Sequence, residues 1–84
     1  MGSKKITIKL ITQSEVARYI HNISSIHSDV NAIKGSLVFD AKSVVAVLNL
    51  SHAEYFDLEI ISDDPKEISH FNYLMKEFTV EEEH

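Results

Sequence analysis

The sequence predicts an α+β fold, an antiparallel sheet with helices packed on one face. Two observations lead there. Inward apolar residues recur at every second position within Lys4–Leu10 and again within Glu54–Ser62, as they do in strands with one buried and one wet side. Two other stretches, Gln13–Ser25 and Pro65–Phe78, repeat their apolar residues at helical spacing behind recognisable N-terminal caps. Because the strands alternate cleanly, only one face of the sheet is covered, and the helices must share it.

In the first strand Ile6, Ile8 and Leu10 point one way and Lys5, Thr7 and Lys9 the other. Thr12-Gln13-Ser14-Glu15 then fits a capping box, a hydroxyl at the N-cap and a glutamate three residues on. Val16, Tyr19, Ile20, Ile23 and Ile26 follow as the inner stripe of the first helix. Asp29–Lys34 reads as a second strand, with Val30 and Ala32 on one side. Lys34-Gly35 supplies a turn, and Leu37–Asp40 returns as a third strand with Leu37 and Phe39 inward. Phe56, Leu58 and Ile60 are the inner residues of the fourth strand. Asp64 suits the N-cap of the last helix, Pro65 its first position and Glu67 its third. Ile68, Phe71, Leu74 or Met75, and Phe78 form its inner stripe. Local rules leave Ser43–Leu50 open. Its valines favour a strand. Ser43 as a cap, with Val44, Val47 and Leu48 at i, i+3 and i+4, favours a short helix.

The chain has 84 residues, enough for one domain with one core. The expected division is a single domain over 1–84, with an ordered core at about 4–78 and an acidic tail over 79–84. A domain this small buries only about 60% of the surface its unfolded chain exposes, so modest stability is expected. There is no cysteine, which removes disulfides and thiol chemistry. No apolar stretch near the N-terminus is long enough for a signal peptide, and none approaches the ~20 residues of a membrane span. A cytoplasmic location is the default expectation. The formal charge is −5, and Glu81, Glu82 and Glu83 make the tail acidic. That balance argues against nucleic acid, which is held by lysine and arginine replacing counterions.

The segment DAKSVVAVLNL, from Asp40 to Leu50, resembles the region around the regulatory serine of HPr, the small phosphocarrier of the bacterial sugar phosphotransferase system. EVARYIHNISSI resembles that family's first helix in its apolar spacing, KGSLVFDAKS its second hairpin in length, and SHAEYFDLEIIS its fourth strand. The resemblance runs from about Lys4 to Phe78 and is strongest at Ala41-Lys42-Ser43. It implies an open-faced β-sandwich, four antiparallel strands with three helices on one face, and a short helix opening at Ser43.

The family carries its phosphoryl group on a histidine just before the first helix, in a Gly-aliphatic-His-small-Arg-Pro signature. An imidazole nitrogen is nucleophilic near neutral pH, and a helix N-terminus with an arginine beside it favours phosphoryl oxygens. Here the matching stretch is Leu10-Ile11-Thr12-Gln13-Ser14-Glu15-Val16. The resemblance sets Thr12 at the histidine position, Ser14 at the arginine and Glu15 at the proline. A carboxylate in the first turn would oppose an incoming phosphate, so a former anion site reads as an ordinary cap. In many Gram-positive relatives the serine matching Ser43 is phosphorylated by a dedicated kinase. Ser43 is therefore a candidate for regulatory phosphorylation, beside the plainer role of an N-cap.

Five histidines remain. His21 lies beside the apolar stripe of the first helix, His27 just past its C-terminus, His52 in a loop, His70 on the polar side of the last helix and His84 at the end. None follows a metal-binding spacing, and no cofactor or metal is expected. The first functional reading is an HPr-like domain that has lost histidine phosphotransfer and acts as a regulatory or protein-interaction module linked to the phosphotransferase system. The second is a carrier with a relocated acceptor, His27, His21 or Ser43. The third is an unrelated small α+β binding module. An enzyme fits worst, because no nucleophile–base pair or phosphate loop can be assembled. Ile33, Val38, Tyr55 and Ile61 fall on the sheet's open face, and if they cluster there they offer a weak contact to a second copy.

Overall fold

A computed structural model describes residues 3–50 and 55–80. Strands β1 (Lys5–Ile8), β2 (Asp29–Lys34), β3 (Leu37–Asp40) and β4 (Phe56–Ile61) form one antiparallel sheet in the order β1-β4-β2-β3. Helix α1 (Gln13–Ser24) connects β1 to β2, α2 (Val44–Leu50) connects β3 to β4, and α3 (Pro65–Met75) follows β4 and leads into a 3₁₀ turn at Lys76–Phe78. This is the open-faced β-sandwich expected from the sequence. The short helix after Ser43 settles the one ambiguous segment. The serine caps it, with the Ala46 amide donating to Ser43 Oγ at 3.3 Å and the Val47 amide to the Ser43 carbonyl at 3.0 Å.

The pairing register sorts the side chains. Ile6 and Ile8 lie opposite Leu58 and Phe56, while Val30 and Ala32 lie opposite Ile60 and Leu58. These residues share the covered side with Tyr19, Ile23 and Ile26, and with Phe71, Met75 and Phe78, in one core. Both helical stripes read from the sequence are therefore the buried ones. Gly35 makes the β2–β3 hairpin possible. Its φ is +63°, the left-handed region that a glycine enters without a Cβ penalty, and Ser36 completes a two-residue loop.

Tyr19 ties the layers together. Its ring is fully buried and meets Phe56 and Phe78 edge-on, at centroid distances of 6.4 and 6.0 Å. Its hydroxyl donates to the Ala41 carbonyl at 2.8 Å, in the turn that leads from β3 to α2. Burial, and secondarily the charge of Asp40, raises the phenol's pKa. Ala41 itself is fully buried, and its amide donates to the Val30 carbonyl at 2.9 Å.

Four expectations change. Leu37 is on the helix side by register, opposite Lys34, yet 57% of it is exposed, because the end of edge strand β3 extends past the helical layer. Val44 and Leu48 share the helical spacing of Val47 but are exposed. Among the described side chains of α2, Val47 is the one that reaches the core. The last helix stops at Met75 and tightens into the 3₁₀ turn, which lets Phe78 swing into the core. The acidic tail does not begin at 79. Thr79 bridges to Ile8, and the Val80 amide donates to the Thr7 carbonyl at 2.9 Å, adding a short stretch along β1. Glu81, Glu82, Glu83 and His84, like His52, lie outside the described residues.

On the open face Ile33 and Val38 are directly paired, and Tyr55 lies under the Lys9 ammonium, 4.9 Å from its ring centroid. Ile61 stands at the far end, opposite Asp29. Asn31, Asp57 and Glu59 occupy the ground between, with Thr7 Oγ1 donating to Asp57 at 2.6 Å. The four apolar residues make no single patch, and two such faces pressed together would oppose carboxylates.

Replacing Tyr19 by Phe keeps the ring and strands a buried carbonyl. Urea unfolding should show a loss of about 1–3 kcal/mol, the cost of one unsatisfied buried group. Phe71→Ala, which opens a cavity, should lose about 3–5 kcal/mol.

Candidate functional site

The entrance of α1 is closed by its own residues. Thr12, extended at φ −102° and ψ 159°, is the N-cap. Its Oγ1 accepts from the Glu15 amide at 3.1 Å. Glu15 Oε1 in turn accepts from the amides of Ile11 at 2.9 Å and Thr12 at 3.0 Å. A carboxylate thus already sits where the amides converge. Those two bonds, first Thr12 and then Ile11, hold the Glu15 carboxyl below the usual range for a glutamate, and the charge of Arg18 adds a smaller pull. Ser14, one residue away, is exposed.

Around this cap the surface is apolar. A groove of about 470 Å³ runs between α1 and α2, lined by Ile11, Thr12, Gln13, Val16, Ala17, Ile20 and Leu48. Ile11 stands on its rim 71% exposed. On α2, Val44, Val45 and Leu48 occupy one outward side at i, i+1 and i+4, with Val45 72% exposed. Helix α2 is apolar on both sides, one facing the core through Val47 and one facing out. The valines of α2 fit a strand or a buried helical stripe by local rules, and this second, outward side goes beyond either expectation. The usable signal was a helix with no charged residue from Val44 to Leu50.

Ser43 is half-buried at the head of α2. Its amide donates to the Asp40 carbonyl at 3.0 Å. Lys42 beside it is committed twice, its amide to Asp40 Oδ1 at 2.9 Å and its Nζ to the Ile26 carbonyl at 2.5 Å. That ammonium therefore caps the end of α1 and faces away from the Ser43 hydroxyl's role on α2.

The described histidines stand apart from the α1 entrance. His21 is exposed in the last turn of α1, nine residues from Thr12, about 13 Å along the axis. His27 is exposed past the C-terminus, where Glu67 is the neighbouring charge. The Glu67 carboxylate accepts from the amide and the hydroxyl of Ser28, both at 3.1 Å. The Ser28 amide is the main cause of its lowered pKa, and the charge of His27 contributes less. Glu67 thus staples the α1–β2 connection to the head of α3 and does not close a capping box there. His70 is exposed on α3. Arg18, the one arginine, is 3.1 Å from Glu77 Oε1. Among the described residues no group of histidines and carboxylates could hold a metal ion, and no helix is long and apolar enough to cross a membrane.

The cap has a measurable pH signature. A carboxyl whose pKa is lowered by folding stabilises the fold above its unfolded value, near 4.5, and that contribution disappears as pH falls through the lower folded value. The melting temperature should therefore fall more steeply below pH 4.5 in the parent than in Glu15→Gln. Thr12→Ala should lose about 1 kcal/mol at neutral pH, measured by urea unfolding.

No family model matches the chain, and no curated protein matches it. Among solved structures it is similar to HPr-C-His from Thermoanaerobacter tengcongensis, with a TM-score of 0.65 and 21% identity over 88% of this chain and 92% of that one. A likeness at that identity carries the architecture, and it spans nearly both chains. The chain has the HPr-like fold.

Proposed function

We propose that the chain is a cytoplasmic HPr-like module that no longer carries phosphate on histidine and works by binding proteins of the bacterial phosphotransferase system or their regulators. One observation carries this reading. At the place where the resemblance sets the phosphohistidine, Thr12 and Glu15 form a cap whose side chains occupy the amides of Ile11, Thr12 and Glu15, which supports the loss of an anion seat there. Glu15 adds a negative charge at that point. Beside the cap lies the apolar groove of Ile11 and Leu48, and α2 carries the exposed Val44 and Val45 on the same outward side as Leu48; apolar surface of this kind suits contact with a protein better than with a small anion.

Incubation with enzyme I and phosphoenolpyruvate should leave the chain without acid-labile phosphate. Phosphohistidine on any residue, read by mass spectrometry, would overturn the loss of transfer and favour His27 or His21 as a relocated acceptor. Calorimetry against purified phosphotransferase-system proteins should find a partner whose affinity drops at least tenfold with Val45→Glu, while the melting curve stays near the parent's because Val45 lies outside the core.

A second reading keeps Ser43 as a regulatory phosphoacceptor. It draws on the place of Ser43 at the head of α2, beside the apolar surface, where a phosphate would change what that surface presents. Acid-stable phosphate on Ser43 in protein isolated from its host would support it, and none under any growth condition would count against it.

A further inference from the structure

The two edges of the sheet are finished differently. The β1 edge is closed by the chain itself, with Thr79 bridged to Ile8, the Val80 amide on the Thr7 carbonyl and the Lys9 amide on the Phe78 carbonyl at 3.0 Å. Lys4, Lys5 and Lys9 add charge along it. Guards of this kind keep an edge from pairing with another chain. Edge strand β3, Leu37–Asp40, is guarded only by its four-residue length and by Asp40 at its end; it carries neither lysine nor proline, and among the described residues β2 is its one strand neighbour. Leu37 is 57% exposed and Val38 61%.

The backbone of β3 has a definite polarity. Ala41 donates to the Val30 carbonyl, and the β2–β3 register continues that pairing. Hydrogen-bonded and non-bonded pairs alternate in an antiparallel ladder. Phe39 and Leu37 therefore turn their amides and carbonyls toward β2, and Val38 and Asp40 turn theirs outward. The Asp40 carbonyl is taken by the Ser43 amide. Val38 is left presenting both groups at the open edge.

We propose that β3 is a self-association edge, on which a second copy of this chain pairs antiparallel about a two-fold axis at Val38. The side chains select this register. Val38 meets the second copy's Val38 on the open face. Leu37 meets the second copy's Phe39 on the helix side, which gives the exposed leucine an apolar neighbour. Centring the axis on Phe39 would instead set Val38 against Asp40. A slip of one residue would set helix-side residues opposite open-face ones. The segment is its own complement, as an isologous contact requires, and this favours a second copy over an unrelated strand. The seam is only about four residues a side, far below a standard interface, so the dimer is weak and forms at high concentration. Each copy has a formal charge of −5, so added salt should strengthen association by screening the repulsion.

Sedimentation equilibrium of the full chain should show a monomer–dimer equilibrium that tightens from low to high salt. Val38→Lys should weaken it at least tenfold with an unchanged melting curve. The chain has no cysteine, so Val38→Cys provides a clean cross-link. In a hydrogen-bonded antiparallel pair the two Cα atoms stand about 5.5 Å apart, within disulfide reach. Air oxidation should yield a covalent dimer of Val38→Cys much faster than of Val45→Cys, which probes the α2 surface. A chain that stays monomeric to millimolar concentration at high salt would overturn the proposal. So would association that survives Val38→Lys unchanged, or faster cross-linking at Val45→Cys.

Discussion

Everything on the helical side of this sheet is held relative to one buried tyrosine. Tyr19 leaves the middle of α1, fits its ring edge-on between Phe56 of β4 and Phe78 after α3, and ends on the Ala41 carbonyl. A phenol is long enough to do this and polar only at its tip, so it can cross an apolar layer and still find an acceptor. The acceptor lies in the turn before α2. The same contact that centres the core thus fixes where α2 starts and how far its outward side stands from the head of α1. The groove between Ile11 and Leu48 lies beside that junction, between α1 and α2.

The head of α1 and the outer side of α2 make opposite demands on a partner. A helix N-terminus with free amides attracts anions, and this one has supplied its own in Glu15. Helix α2 has no charge to offer and too few residues to bury both of its apolar sides. What remains is a self-capped helix head beside an apolar groove. Such a surface gains by excluding water under another protein and gains little from a small charged ligand.

Much of this was legible in the residues. The alternation in β1 and β4, the stripes of α1 and α3 and the Thr12–Glu15 box are local patterns, and local patterns survive into the structure. The less legible parts depend on what lies across a gap. Leu37 has the right parity for the core, but whether a helix reaches it is decided by the placement of the whole layer. Val44 and Leu48 fit the period of a buried stripe equally well whether one side of α2 or both are apolar. Glu67 has the position of a capping glutamate and is drawn off by Ser28, 39 residues earlier in the chain. The candidate site divides in the same way. Its closed cap could be read from four consecutive residues, Thr12 to Glu15. Its apolar surroundings could not, because Ile11 and Leu48 come to one groove only through the packing of α1 on α2.

The chain holds three tyrosines and no tryptophan. Tyr19 is fully buried, while Tyr55 and Tyr73 are exposed. A phenol fixed edge-on between two phenylalanine rings experiences a chiral, rigid surrounding, whereas exposed phenols average theirs away. The tyrosine band of this molecule's near-ultraviolet circular dichroism therefore reports chiefly on one side chain, Tyr19. The molecule carries a built-in optical gauge of whether α1 is seated.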